Sequence, residues 1–279
     1  MKSMNAYKTQ RGKEELFKYY DMLLESLTIP YERINIPTRH GNTFGLVAGD
    51  ISAPPMVLLH GSSMNSCMWI NDIKIYSKSY RVYALDIPGE AGKSDERQLP
   101  FTTSDLDDWL YDVFDVLSID KAVMIGASLG AWLSTKFAIK YPEKIDQLVL
   151  LCPAGIGTQN KKFIFTALFY MFLGEKGIRK LFKIINGNVE MPEIILKFQI
   201  LIGKCFNTRK EPIPIFKDDE IRHLTMPVFL FVGAKDIMLH SLETADRMKK
   251  LVPSTKVNIL PEGGHSLINL TDTILEQIS

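Results

Sequence analysis

Little in this 279-residue chain is present in excess. Its three cysteines, Cys67, Cys152 and Cys205, are odd in number, far apart and form no CxxC pair. That excludes a disulfide scaffold and reads as reduced thiols in an intracellular compartment. Charge of one sign is also lacking, since 33 Lys and Arg stand against 32 Asp and Glu. A general nucleic-acid binder needs a sustained basic excess to neutralise phosphates, so no nucleic-acid partner is expected. Long hydrophobic runs are absent: the longest compact one, Phe163 to Leu173, has 11 residues, against roughly 20 for a membrane span. Ile51 to Asn71 carries no acidic or basic residue, but Pro54, Pro55 and the polar HGSSMNS stretch rule out a membrane helix there. No stable membrane insertion is expected. The opening MKSMNAYKTQRGKEELF has no apolar core, so no signal peptide is expected and the location is read as cytoplasmic.

What is present is an alternation of strand and helix signals. Two strand candidates, Glu32 to Pro37 and Thr43 to Ala48, flank the turn residues His40, Gly41 and Asn42, as an antiparallel hairpin would. Short apolar runs follow at MVLLHG, RVYALDIPG, AVMIGAS, QLVLLCPAG, PVFLFVGAKD and KVNILPEGG. Runs without polar alternation imply strands buried on both faces, hence a parallel sheet covered by helices. Helical periodicity is expected at Lys13 to Glu25, Asp105 to Leu117, Ala131 to Lys140, Leu242 to Leu251 and Ser266 to Ile278. The pattern is an α/β fold with a mostly parallel, eight-stranded, doubly wound sheet. One segment breaks the rhythm. Residues 156–222 show no strand, and a connection that long needs structure of its own. They read as a helical lid inserted after the sixth strand, carrying 12 Lys or Arg against 7 Asp or Glu. The expected core is then 1–155 with 223–279, and 1–30 form an N-terminal helical extension.

The chemistry begins at Gly126-Ala127-Ser128-Leu129-Gly130, a G-x-S-x-G in which a strand turns sharply into a helix and exposes a serine. By composition the pattern arises by chance in roughly one chain in twelve of this length. Its setting, between the strand AVMI and the helix AWLSTKFAIKY, gives it weight. A serine hydroxyl needs a base, and the base needs an orienting partner. His265 follows the last strand in PEGGH, and Asp236 ends VGAKD after the strand before it. Alone, His265 would read as a capping surface histidine and Asp236 as a helix N-cap. Together, the order Ser128, Asp236, His265, all at carboxyl ends of strands, is nucleophile, acid, base. The loop His60-Gly61-Ser62-Ser63 lies where two backbone N–H groups, of Ser62 and Leu129, would form an oxyanion hole. His60 itself reads as a ring that pins this loop. The loop's continuation supplies Ser63, Met64, Met68 and Trp69 as candidate substrate contacts beside an apolar acyl or aryl pocket.

Taken together, HGSS at 60–63, GASLG at 126–130, GAKD at 233–236 and GGH at 263–265 resemble the α/β-hydrolase superfamily, and within it the small lidded serine carboxylesterases. DIPGEAGKS at 86–94 is similar to that family's D-x-P-G-x-G-x-S turn with one residue extra. The resemblance implies an α/β-hydrolase fold and hydrolysis of a small-molecule ester through an acyl-enzyme, without cofactor or metal. Carbon-carbon bond hydrolase, lactonase, aminopeptidase and cofactor-free haloperoxidase use the same triad, and a non-catalytic ligand sensor can keep the same fold. Gly92-Lys93-Ser94 is not a P-loop, because Ile87 stands where G-x-x-x-x-G-K-S requires glycine. The five histidines have no HxH or HxxxH metal spacing.

Overall fold

The computed structural model describes residues 6–278; the first five residues of the expected N-terminal extension, and Ser279, lie outside the described residues. Eight strands form one sheet in the order β1-β2-β4-β3-β5-β6-β7-β8. They are β1 Tyr31–Thr38, β2 Gly41–Ala48, β3 Pro55–Leu59, β4 Arg81–Leu85, β5 Ala122–Ala127, β6 Ile145–Leu151, β7 Val228–Gly233 and β8 Lys256–Leu260. The β1–β2 hairpin pairs Thr38 with Gly41 across its turn and is antiparallel to the rest through β2–β4. Every other pairing is parallel.

The central strands are buried on both faces, and successive side chains enter different cores. Val57, Leu59, Met124 and Leu150 join one core with Trp109, Trp132 and Phe137. Met56, Leu58, Ile125 and Val149 join the other with Leu16, Tyr20 and Phe198. Helices α3 (Asp105–Val116), α4 (Leu129–Lys140) and α9 (Ser241–Leu251) cover the first face, and α1 (Gln10–Leu24), α2 (Ile70–Tyr76) and α10 (Thr271–Ile278) the second. In α1, Leu16, Tyr20, Leu23 and Leu24 recur at helical spacing and are buried, and the Thr9 side chain caps the helix by accepting from Gly12 N–H at 3.0 Å. The three acidic residues in the first turn of α3, Asp105, Asp107 and Asp108, meet the positive end of its dipole.

Several expected boundaries move: the helix expected from Lys13 starts at Gln10, and β2, expected from Thr43, already begins at Gly41. The helix expected from Ala131 starts at Leu129, directly after the serine turn. The helix expected from Ser266 starts only at Thr271, because Asn269 adopts a left-handed φ of 59°, which a helix cannot contain. Between β6 and β7 the chain adds no strand to the sheet and forms α5 (Lys162–Phe172), α6 (Gly174–Ile185), α7 (Glu193–Cys205) and the single turn α8 (Asp218–Ile221). Helix α7 is seated on α1, where Tyr19 stacks on Phe198 at 5.4 Å between centroids, and beyond the helix ends Tyr7 meets Phe206 edge-on at 5.8 Å.

Candidate active site

Ser128 sits between the end of β5 and the first residue of α4 with φ 51° and ψ −105°. A non-glycine residue held there costs about 1–3 kcal/mol. The surroundings hold it in place. Ser128 N–H donates to Leu151 O at 2.9 Å, and Ser128 O accepts from Trp132 N–H at 3.0 Å as the first bond of α4. The flanking glycines allow the turn to close. A Cβ on Gly126 would lie 2.5 Å from Ala131 N, and one on Gly130 would lie 2.2 Å from Leu59 O. β3, β5 and α4 therefore meet at a point where only backbone fits.

His265 Nε2 lies 3.0 Å from Ser128 Oγ, and His265 Nδ1 lies 2.9 Å from Asp236 Oδ2. With Nδ1–H donating to the carboxylate, Nε2 is left to accept the serine proton. Asp236 is locked from both sides. Its Oδ1 accepts from the N–H groups of Met238 and Leu239 at 2.8 and 3.0 Å, and its Oδ2 also accepts from Ser241 Oγ at 3.0 Å. Burial opposes ionisation of this carboxyl. The bond to His265, that residue's charge and the two backbone donors outweigh it and hold the pKa below the ordinary value. The side chains of His265 and Asp236 are 9% and 0% exposed, so the relay is largely shielded from water.

The His60–Ser63 loop runs beside Ser128: a Cβ on Gly61 would lie 3.8 Å from Ser128 Cβ. The buried His60 ring accepts from Ile87 N–H at Nε2 (2.9 Å), and its Nδ1 lies 2.8 Å from Gly61 O. Burial lowers its pKa, against the pull of nearby Asp86, so the ring stays neutral and pins the β3 and β4 loops together. Among the described residues, the Ser62 and Leu129 N–H groups donate to no protein acceptor. The next donor along, Ser63 N–H, is committed to Glu90 Oε2 at 2.6 Å. Glu90 is fully buried in the loop after β4 and faces Arg209, Nε to Oε1, at 3.8 Å. Burial pushes its carboxyl up to about 7, against the Ser63 N–H and the Arg209 charge. Neither Glu90 nor Arg209 was marked by a motif. The one signal for Glu90 was the extra residue in DIPGEAGKS.

The other candidate contacts separate. Ser63 Oγ faces Thr208 Oγ1 at 3.0 Å, and Met64 lies beside Gln199 of α7, Sδ to Nε2 3.9 Å. Met68 is partly buried against the second core, and Trp69 belongs to that core at 3% exposure. Trp69 thus reaches the region as packing beneath the loop. Cys152, Asp236 and His265 form a cluster of potential metal ligands among the described residues, with atoms within 4.8 Å of one another. Their chemistry does not fit a cation. The Asp236 oxygens already accept four hydrogen bonds. Burial, then the Asp236 charge, pushes the Cys152 thiol far up, keeping it protonated.

The segment between β6 and β7 reaches the relay directly. His265 N–H donates to Ile185 O, the carboxyl end of α6, at 2.7 Å. Gly187, at φ 69°, packs against Gly263 and Gly264, where a Cβ would lie 2.5 Å from Glu262 O and 2.6 Å from Gly264 N. This clamp was not legible in the sequence, since GGH read only as a loop before a histidine. Two surface depressions of about 580 and 560 Å³ lie beside Arg247 and between α6 and α7, and none of Ser128, Asp236 and His265 lines either one. The hydrogen-bond geometry marks the site here.

Comparison with known proteins agrees with this architecture. Residues 54–182 match the alpha/beta hydrolase fold family. Carboxylesterase YbfK of Bacillus subtilis is 30% identical over 259 residues, 90% of this chain and 87% of that protein. A second carboxylesterase of the same organism, nap, is 31% identical over 266 residues, with the same coverage. The crystal structure of naproxen esterase from Bacillus subtilis superposes with a TM-score of 0.86 at 27% identity, over 98% of this chain and 100% of that one. The chain belongs to the α/β-hydrolase family, as a carboxylesterase-like enzyme.

Proposed function

We propose that this member of the α/β-hydrolase family cleaves small to medium apolar or aryl carboxylic esters through an acyl-enzyme on Ser128. The observation that carries the reading is the unbroken relay Ser128 Oγ to His265 Nε2 at 3.0 Å and His265 Nδ1 to Asp236 Oδ2 at 2.9 Å. His265 takes the Ser128 proton as Oγ attacks the ester carbonyl; Asp236 fixes the imidazole tautomer and stabilises the imidazolium. The Ser62 and Leu129 N–H groups receive the oxyanion. His265 returns its proton to the leaving alcohol, and a water deprotonated by the same ring releases the acid. The ring works in the tautomer that the Asp236 bond fixes, with Nε2 free to take the Ser128 proton.

Residues 156–222 act in this reading as a lid. Support comes from the shielding of His265 and from the seat of α6 on its loop. Met64 and Met68 would offer adaptable apolar contacts to the acyl or aryl group, and the naproxen esterase relative favours an aryl substrate. Hydrolysis of a p-nitrophenyl ester series of increasing acyl length tests the reading. Wild type is expected to turn over short and medium esters, with Ser128→Ala lower in kcat by about 10⁴-fold or more. Turnover unchanged in Ser128→Ala would remove Ser128 from the mechanism.

A further inference from the structure

Helix α5 is apolar along its length, yet none of its residues is buried. Phe165, Leu168, Phe169 and Phe172 fall at i, i+3, i+4 and i+7, one face of the helix. They are 75%, 59%, 60% and 90% exposed, and Ile164, Met171 and Leu173 widen the stripe. A contiguous apolar surface of this kind usually marks an interaction site. Its border is basic. Lys161 and Lys162 stand four and three residues before Phe165 and continue the same face. Lys176 and Lys180 of α6 stand at the other end, Lys180 Nζ lying 5.8 Å from the centre of the Tyr170 ring. Among the described residues no carboxylate pairs with these four ammonium groups. Glu175 and Glu193 bind Arg179, and Glu190 binds Lys183.

We propose that this face docks on an anionic lipid surface, with α5 lying in the plane of the interface, its Phe and Leu side chains among the acyl chains and the four lysines against headgroup phosphates. The chemistry is that of an interfacial amphipathic helix, apolar below and lysine-rimmed above. At 11 residues α5 is about 16 Å long and lies on a bilayer without crossing it; no helix of the described residues is long and apolar enough to cross. A second copy of this chain fits the face less well, because a twofold contact would bring two sets of unpaired lysines together. Apolar insertion and phosphate attraction are each marginal alone and sufficient in combination, so docking is reversible and weakened by salt.

The proposal stands independently of the esterase reading, and its test uses binding alone. Full-length protein is floated with vesicles of phosphatidylcholine alone or with about 30 mol% phosphatidylglycerol. Wild type is expected to float with the anionic vesicles and to be released by salt. Phe165→Ser with Phe172→Ser, and separately Lys161→Glu with Lys162→Glu, are each expected to weaken binding by about tenfold or more. Their thermal midpoints should stay at the wild-type value, since all four side chains are solvent-facing. Absence of wild-type binding, or undiminished binding by both variants, would overturn the proposal. So would a wild-type dimer in sedimentation that the phenylalanine variant dissolves, since a second copy would then cover the face.

Discussion

Gly130 has no room for a methyl group, and that single fact links the fold to Ser128. Gly130→Ala would set a Cβ 2.2 Å from Leu59 O; both elements are core, so neither yields cheaply. A loss of about 3 kcal/mol or more in denaturant unfolding is expected, with activity falling alongside. Asp236→Asn should behave in the opposite way. An asparagine keeps the volume but can offer its N–H₂ to His265 Nδ1, favouring the wrong tautomer. kcat is expected to drop by about 10³–10⁴-fold with the thermal midpoint nearly unchanged. Glu90 makes a prediction about pH. Its carboxyl moves from an ordinary 4.5 to about 7 through burial, against the Ser63 N–H and Arg209. The folded state therefore holds this proton more tightly than the unfolded chain. Its contribution to stability is complete below about pH 4.5 and is lost as pH rises towards 7. Glu90→Gln keeps an acceptor for Ser63 N–H and abolishes the titration, so its thermal midpoint should fall less than that of wild type between about pH 5 and 8. Parallel profiles would mean that Glu90 is ionised throughout.

At the scale of elements, the β6–β7 segment is tied to the chemistry by one helix end. Ile185 O holds the His265 N–H and Gly187 nests against Gly263 and Gly264. Gly187→Ala adds a methyl to a left-handed position with Glu262 O 2.5 Å away. It should displace the His265 loop and lower kcat by about tenfold or more, while KM moves less. A change in KM alone would separate the clamp from the relay. The same comparison shows what the sequence could carry. The strands at Met56, Ala122 and Pro227 were legible because they are short apolar runs bounded by turns. The juxtaposition of Ser128, Asp236 and His265 was legible because each residue lies in the turn or loop that follows the carboxyl end of a parallel strand. The Glu90–Ser63 bond and the α6 clamp were not, since both join segments remote in the chain through contacts that leave no periodicity. The late start of α10 depends on one positive φ at Asn269, and Trp69, close after the His60–Ser63 loop in sequence, turns into the core it shares with α1.

For the molecule as a whole, stability is unevenly spread. Strands β3, β5 and β6 carry residues at or near zero exposure, whereas α5 has no buried residue and α6 has three. Opening free energies follow such burial. Amide hydrogen exchange is expected to be fastest in α5 and α6 and slowest in β3, β5 and β6; equal protection would show that the α5–α6 pair is as firmly packed as the sheet. Faster opening there would let an ester reach a histidine whose side chain is 9% exposed. Behind that expectation stands the assignment of Ser128 as the acylated residue. Its most direct test is covalent labelling with a fluorophosphonate, the adduct located by peptide mass spectrometry. A single adduct on Ser128 is expected, formed about 10³-fold more slowly or not at all in His265→Ala. An adduct on another serine, or ester hydrolysis in a wild-type protein that takes no label, would contradict the account.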